Sequence, residues 1–400
     1  MHYRRFGRTE LQMPVFSCGG MRFQQGWGDI EADKIENDKQ ANLEATIHRA
    51  LELGINHIET ARGYGSSELQ LGWILPRLPR EKMIVQTKVG PEEDPKKFLA
   101  NFEKSMSLLK LEYVDLLSFH GINTAEILDQ VVLRGGCLEI ARQLQKEGRV
   151  RFVGYSTHAS NAVITRANAT GEFDYLNLHY YFVNELNAGA IEEATKQDMG
   201  VFIISPSDKG GMLYNAPQKM TELCAPLTPI GFNDLWCLGK KEVHTLSIGA
   251  ARPSDFDEHV ESLAHYDDIP AVVAPIEQRL NEEIEKNFGE DWLYNWPAEL
   301  PEHYELPADV NVREILRVFT YAKSLGLVEW AKGRYNLLGN AGHWFPGENV
   351  KVLDDDLKWQ QLSQKLGKSP FASRIPAYLH EAHEMLKGEE KERQSKSDSA

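Results

Sequence analysis

Ile84-Val85-Gln86-Thr87-Lys88, an amphipathic run from Lys97 to Leu109, and Val114-Asp115-Leu116-Leu117-Ser118-Phe119 spell a strand, a helix and a second strand. The flanking runs are short and apolar, and between them apolar residues recur at three and four positions, the period of a helix with one buried face. A strand that returns through a helix to a neighbouring strand must run parallel to it, with a right-handed crossover. The same grammar extends outward from this unit in both directions. Strands are expected at Val15 to Gly19, Ile55 to Glu59, Arg151 to Tyr155, Tyr175 to His179, Gly200 to Ile204 and His244 to Gly249, which with the first two makes eight. Helices are expected over Gln40 to Leu53, Ser67 to Leu78, Ala125 to Lys146 and Ala188 to Asp198, and Pro253 to Leu263 follows the last strand.

Eight strand-helix units are the number that closes a (β/α)8 TIM barrel. The rival is an open doubly wound sheet, which for a dinucleotide enzyme carries G-x-G-x-x-G after its first strand. Cys18-Gly19-Gly20-Met21 is not that motif. The chain therefore reads as α/β, with a barrel over residues 1–268. A short N-terminal hairpin, Tyr3 to Leu11 turning at Gly7 to Glu10, would cap its bottom. A helical C-terminal extension is expected over 269–386, with helices at Ile276 to Phe288 and Val312 to Leu325 and an irregular segment at Gly339 to His343. The polar end, 387–400, has too little apolar surface to order itself and is expected to be mobile.

Composition narrows the function. Lys and Arg number 44 against 59 Asp and Glu, a net charge of −15, so most of the surface repels phosphate backbones and a dedicated nucleic-acid binder is excluded. No run approaches the roughly 20 apolar residues of a membrane helix. Four cysteines without a CxxC pair fit a reducing compartment, and the expected location is cytoplasmic. Oligomeric state is left open.

In such a barrel the reactive groups stand at the C-terminal ends of the strands. There the sequence places Glu59, Tyr64 just beyond it, Lys88 and His120. An ordinary tyrosine titrates near pH 10, and a neighbouring ammonium favours its phenolate. Lys88 supplies that charge, Glu59 keeps the buried ammonium ionised, and His120 can donate to an oxygen that becomes negative. Such a set suits carbonyl reduction. Taken singly, Glu59 or Lys88 reads equally as half of a structural ion pair, His120 as a satisfied core histidine and Tyr64 as a packed aromatic; their clustering at consecutive strand ends favours the chemical reading.

These residues also carry a family resemblance. Ile58-Glu59-Thr60-Ala61-Arg62-Gly63-Tyr64-Gly65-Ser66-Ser67-Glu68-Leu69-Gln70-Leu71-Gly72 resembles the aldo/keto reductase signature. Gln86-Thr87-Lys88, Asp115 to His120 and Gly148 to Ser156 are similar to the lysine, histidine and fifth-strand segments of that family. The resemblance implies a barrel oxidoreductase using NADPH in an extended site and reducing an aldehyde or ketone. By it Tyr64 is the general acid, Lys88 and Glu59 its tuning pair and His120 the orienter of the carbonyl. Ser156 and Asn177 fall on the nicotinamide carboxamide, Ser205 on the pyrophosphate, and Gly249, Arg252, Asp255, Glu258 and His259 on the adenosine end, with Arg252 suited to a 2′-phosphate.

Three departures qualify the resemblance. Glu59 stands where the family usually has aspartate, so its extra methylene must fold back or shift its strand. Ile204 replaces an aromatic, and Asp255 and His259 replace a glutamine and an asparagine. The extension resembles one branch that adds a ferredoxin-like module with iron–sulfur clusters, but no cysteine follows Cys237 and thiolates are what such a cluster needs, so no metal is expected. A barrel that binds the nucleotide with little turnover, acting as a redox sensor or partner subunit, is the competing expectation. Trp27, Phe119, Tyr181 and Trp236 are candidates for the pocket wall.

Overall fold

The computed structural model describes residues 1–391. Two short antiparallel strands, β1 (Tyr3–Arg5) and β2 (Gln12–Pro14), form the expected hairpin. Phe6, wholly buried in the turn between them, packs with Leu11, Met13, Ile84, Leu116, Tyr175 and Phe202 in an apolar cluster that plugs the barrel bottom.

The barrel strands follow as β3 (Phe16–Gly19), β4 (His57–Glu59), β5 (Ile84–Val89), β6 (Val114–His120), β7 (Val150–Ser156), β8 (Tyr175–Leu178), β9 (Gly200–Ile203) and β10 (Thr245–Ile248). All are parallel, and β10 closes onto β3 through Leu246 opposite Phe16. The chain is thus a closed eight-stranded parallel barrel, and each strand lies within two residues of its expected bounds. Register sets the site. Gly19 pairs with Glu59, Glu59 with Gln86, Lys88 with Ser118, His120 with Ser156 and Ser156 with Asn177. Every residue expected to do chemistry on a strand therefore arrives at one end of the barrel.

Three helices differ from expectation. Ser67 to Leu78 is α-helical only over Ser67–Leu71, with a separate 3-10 turn at Leu75–Arg77. Ala125 to Lys146 is not one helix but two, Ala125–Val132 and Cys137–Lys146, because the chain turns at Gly135 in a left-handed conformation, φ +80°. The first extension helix begins at Ile269 rather than Ile276 and runs to Phe288, with one proline in its first turn, where no amide hydrogen is needed, and Pro275 inside it.

The extension continues through Val312–Leu325, Val328–Tyr335, Asp356–Lys365 and Ile375–Leu386. Its centre is an aromatic cluster in which Trp292 stacks on Phe288 at 5.3 Å and meets Phe371 and Tyr378 edge-on. It is tied to the barrel by polar bonds as well as by apolar contact. Tyr321 Oη donates to Phe182 O at 3.1 Å and Arg317 Nη1 to Val183 O at 2.9 Å. At the start of the polar end Gly388 N donates to Asn336 Oδ1 at 3.1 Å and Lys391 N to Asn336 O at 2.9 Å. The rest of that expected mobile end, 392–400, lies outside the described residues. Among the described residues no helix is long and apolar enough to cross a membrane.

Candidate active site

A cavity of about 860 Å³ opens at the C-terminal end of the barrel. Glu59 at the end of β4 and Lys88 on β5 form an ion pair at its floor, with Lys88 1% exposed. Lys88 Nζ also donates to Thr60 O at 3.0 Å and lies 3.3 Å from Tyr64 Oη. Burial opposes the ammonium, but Glu59 and Tyr64 outweigh it and its pKa is raised, so Lys88 is charged at neutral pH.

The longer carboxylate does not shift its strand. Pairing of β4 with β5 runs unbroken through Glu59, and the carboxylate oxygen not held by Lys88 accepts from Ser247 Oγ at 3.2 Å. Room for the extra methylene comes from Gly19, where a Cβ would stand 3.1 Å from Glu59 Oε1 and 2.6 Å from Ser247 Oγ.

Tyr64 is carried by a tight turn after β4. The Tyr-Gly dipeptide is a packing necessity there: Gly65 has φ +52°, and a Cβ on it would fall 1.6 Å from Gly26 O. His120, the last residue of β6, meets the Tyr64 ring edge-on at 5.6 Å. The four expected catalytic residues thus line one cavity, with a fixed positive charge beside the phenol oxygen.

The expected cofactor residues divide. Ser156, Ser205, Gly249, Arg252, Asp255, Glu258 and His259 line the same cavity. Asn177 does not; it is fully buried beside Ser156. Ser156 Oγ and both amide atoms of Asn177 are buried without a hydrogen-bond partner. Buried polar atoms are rarely left so. A hydroxyl and an amide together offer the donors and acceptors that a carboxamide needs, so this end fits a nicotinamide.

Two of the residues expected at the adenosine end are engaged within the chain. Asp255 accepts from Ala251 N at 2.9 Å and from Arg252 Nε at 2.8 Å, which caps the turn and engages the arginine. His259 does not offer both ring nitrogens, because Nδ1 sits 2.5 Å from Asp234 Oδ2 in a buried pair. Burial works against protonation of His259, yet Asp234 wins and its pKa is raised.

Of the expected wall aromatics, Trp27 lines the cavity. Phe119 and Trp236 do not. Phe119 stacks on Phe98 at 5.1 Å, and Trp236 packs by Tyr180 while donating to Glu277 Oε1 at 2.9 Å, so both are core. Tyr181 lines a second chamber instead. His158, Lys209 and Arg334 also line the cavity and were not singled out from sequence. Arg334, on the helix Val328–Tyr335, has no local signal.

The aldo/keto reductase family model matches residues 16–246. L-Galactose dehydrogenase of Arabidopsis thaliana is 32% identical over 160 residues, 38% of this chain and 47% of that protein, so the chain matches about half the length of that relative. L-Glyceraldehyde 3-phosphate reductase of Escherichia coli O157:H7 is 22% identical over 336 residues, 70% of this chain and 92% of that protein. An aldo-keto reductase of Bacillus halodurans solved in its holo form superposes with a TM-score of 0.58 at 19% identity, covering 70% of this chain and 96% of that one. With eight parallel strands closed into a barrel and a family match across more than half its length, this chain belongs to the aldo/keto reductase family of oxidoreductases.

Proposed function

We propose that the protein reduces an aldehyde or ketone to an alcohol with NADPH, Tyr64 giving the proton. The observation that carries this reading is the buried Glu59–Lys88 pair with Nζ 3.3 Å from Tyr64 Oη. When bound, the reduced dinucleotide would supply a hydride, the two electrons and the hydrogen of the new C–H bond, to the carbonyl carbon. Tyr64 passes its phenolic proton to the carbonyl oxygen as that oxygen gains electrons. Lys88 stabilises the resulting phenolate, and Glu59 keeps Lys88 ionised. His120, across from the Tyr64 ring, fixes the carbonyl oxygen by donating to it. Ser156 and Asn177 would hold the carboxamide, and Ser205, Gly249, Arg252 and Glu258 line the run toward the adenosine end.

The test is fluorescence titration of the purified protein with NADPH and NADH, followed by an aldehyde and quinone panel. Binding with turnover upholds the reading. Binding without turnover would turn it toward a nucleotide sensor.

Cofactor choice rests on Arg252, whose Nε is engaged by Asp255 while the side chain is otherwise exposed. Asp255→Asn removes the competing charge. The preference for NADPH over NADH, read as the ratio of kcat/KM, is expected to rise about tenfold, equivalent to about 1.4 kcal/mol. An unchanged ratio would mean that Arg252 does not meet the 2′-phosphate.

A further inference from the structure

The last helix of the extension, Ile375–Leu386, ends beside Asn336, the residue that closes the helix Val328–Tyr335. Asn336 is 2% exposed. Its Nδ2 donates to Lys332 O and to Leu386 O, both at 2.8 Å, and its Oδ1 accepts from Gly388 N at 3.1 Å. Its backbone carbonyl accepts from Lys391 N at 2.9 Å. One buried asparagine thus meets the end of the described chain at three points, 386, 388 and 391.

Nothing apolar explains that contact. Lys387-Gly388-Glu389-Glu390-Lys391 carries no apolar side chain, and all five residues are exposed. Fixing a backbone costs conformational entropy, so a polar segment keeps one path only where hydrogen bonds hold it. Asn336 supplies the donor for Leu386 O and the acceptors for Gly388 N and Lys391 N, and Lys351 Nζ lies 3.5 Å from Glu390 Oε1 as a further tie.

The path leads to the active-site cavity. Lys391 lines it together with Gly333, Arg334 and Leu337 from around Asn336, and the same space holds Arg252 and Asp255 at the adenosine end. Two of the cavity's cations are already matched by carboxylates, Lys88 by Glu59 and Arg252 by Asp255. Asp208 and Glu258 add negative charge to the lining, in a chain whose net charge is −15. A dinucleotide brings a pyrophosphate into that field, and NADPH a 2′-phosphate as well. Of the acidic neighbours of Lys391, Glu390 is met by Lys351 and Glu389 is exposed to water. An ammonium carried in from the extension is therefore added charge of the sign that bound phosphates need.

We propose that residues 387–391 are a strap, pinned on Asn336, that brings the Lys391 ammonium to a phosphate of the bound dinucleotide. The inference rests on the reductase reading for its ligand, but it is read out by binding and not by turnover. By it the extension takes part in holding the cofactor, and Asn336, which touches no ligand, is a positioning residue.

The experiment titrates the full-length protein with NADPH, followed by its fluorescence, at low salt and at about 0.5 M salt. Lys391→Gln is expected to raise Kd about fivefold at low salt, the scale of one exposed charge pair, and to lose most of that effect at the higher salt. Lys391→Arg should keep most of the affinity. Gly388→Pro tests the pin. It removes the N–H that Asn336 Oδ1 accepts, while Lys387, extended at ψ 143°, already has the backbone that precedes a proline. It should raise Kd as Lys391→Gln does, and the double variant no further, because both act through one contact. An unchanged Kd in Lys391→Gln overturns the strap and leaves the reductase reading standing. So does an unchanged Kd with a raised KM for the carbonyl, which would give Lys391 to the substrate. Additive effects of the two variants would overturn the pin on Asn336. If NADPH binds and no carbonyl is turned over, the reductase reading fails, and the same Kd series still upholds or overturns the strap. No binding of NADPH to the wild-type protein overturns both.

Discussion

Tyr64→Phe is expected to lower kcat for carbonyl reduction about a thousandfold, within the range that removal of a positioned general acid produces. Among the described residues, the phenol lies at the cavity floor with a fixed ammonium 3.3 Å behind it. The substitution removes a single oxygen and leaves the ring, its edge-on contact with His120 and the turn at Gly65 in place. Dinucleotide affinity and melting temperature should therefore stay close to wild type. Single-turnover kinetics on the preformed binary complex separate the chemical step from release. Retention of more than about a tenth of the wild-type rate would take the proton transfer away from Tyr64.

The second large effect falls on stability as well as rate. Lys88→Met leaves the Glu59 carboxylate 3% exposed with Ser247 as its remaining donor, an uncompensated buried charge that costs about 3–5 kcal/mol. The urea midpoint should fall accordingly, and reduction should be lost because the phenolate has no counter-ion. Adding Glu59→Leu removes the stranded charge, so the double variant should regain most of the stability while remaining inactive. This split is the informative result. If the double variant unfolds as easily as the single one, the ion pair is not what holds the barrel end together; if it regains activity, Lys88 is not tuning Tyr64.

Both predictions draw on residues that were legible as a set of strand-end positions. Glu59, Lys88 and His120 follow apolar runs whose period marks them as strand ends, and a parallel barrel brings such ends to one face whatever the loops do. How Glu59 fits was not legible. Its accommodation depends on Ser247 and Gly19, both distant in sequence, and only the closure of β10 onto β3 places them beside it. The aromatic candidates failed for a related reason: whether Phe119 or Trp236 faces the cavity or the helices depends on barrel tilt and helix packing, which composition does not encode.

Local order is the part that the amino-acid sequence determined by itself. Strand runs, helical periods and turn glycines act over a few residues, and eight repeats of the unit leave a closed parallel barrel with its reactive ends together. Tertiary structure alone decided what those ends meet. It left Ser156 and Asn177 without partners, and set Arg334 and Trp344 from the extension against His158 on the barrel. These contacts join residues up to nearly two hundred positions apart, and no short-range pattern carries them. Their partners are selected when the extension packs its apolar faces onto the barrel, and the charges on its helices are carried to the site with them.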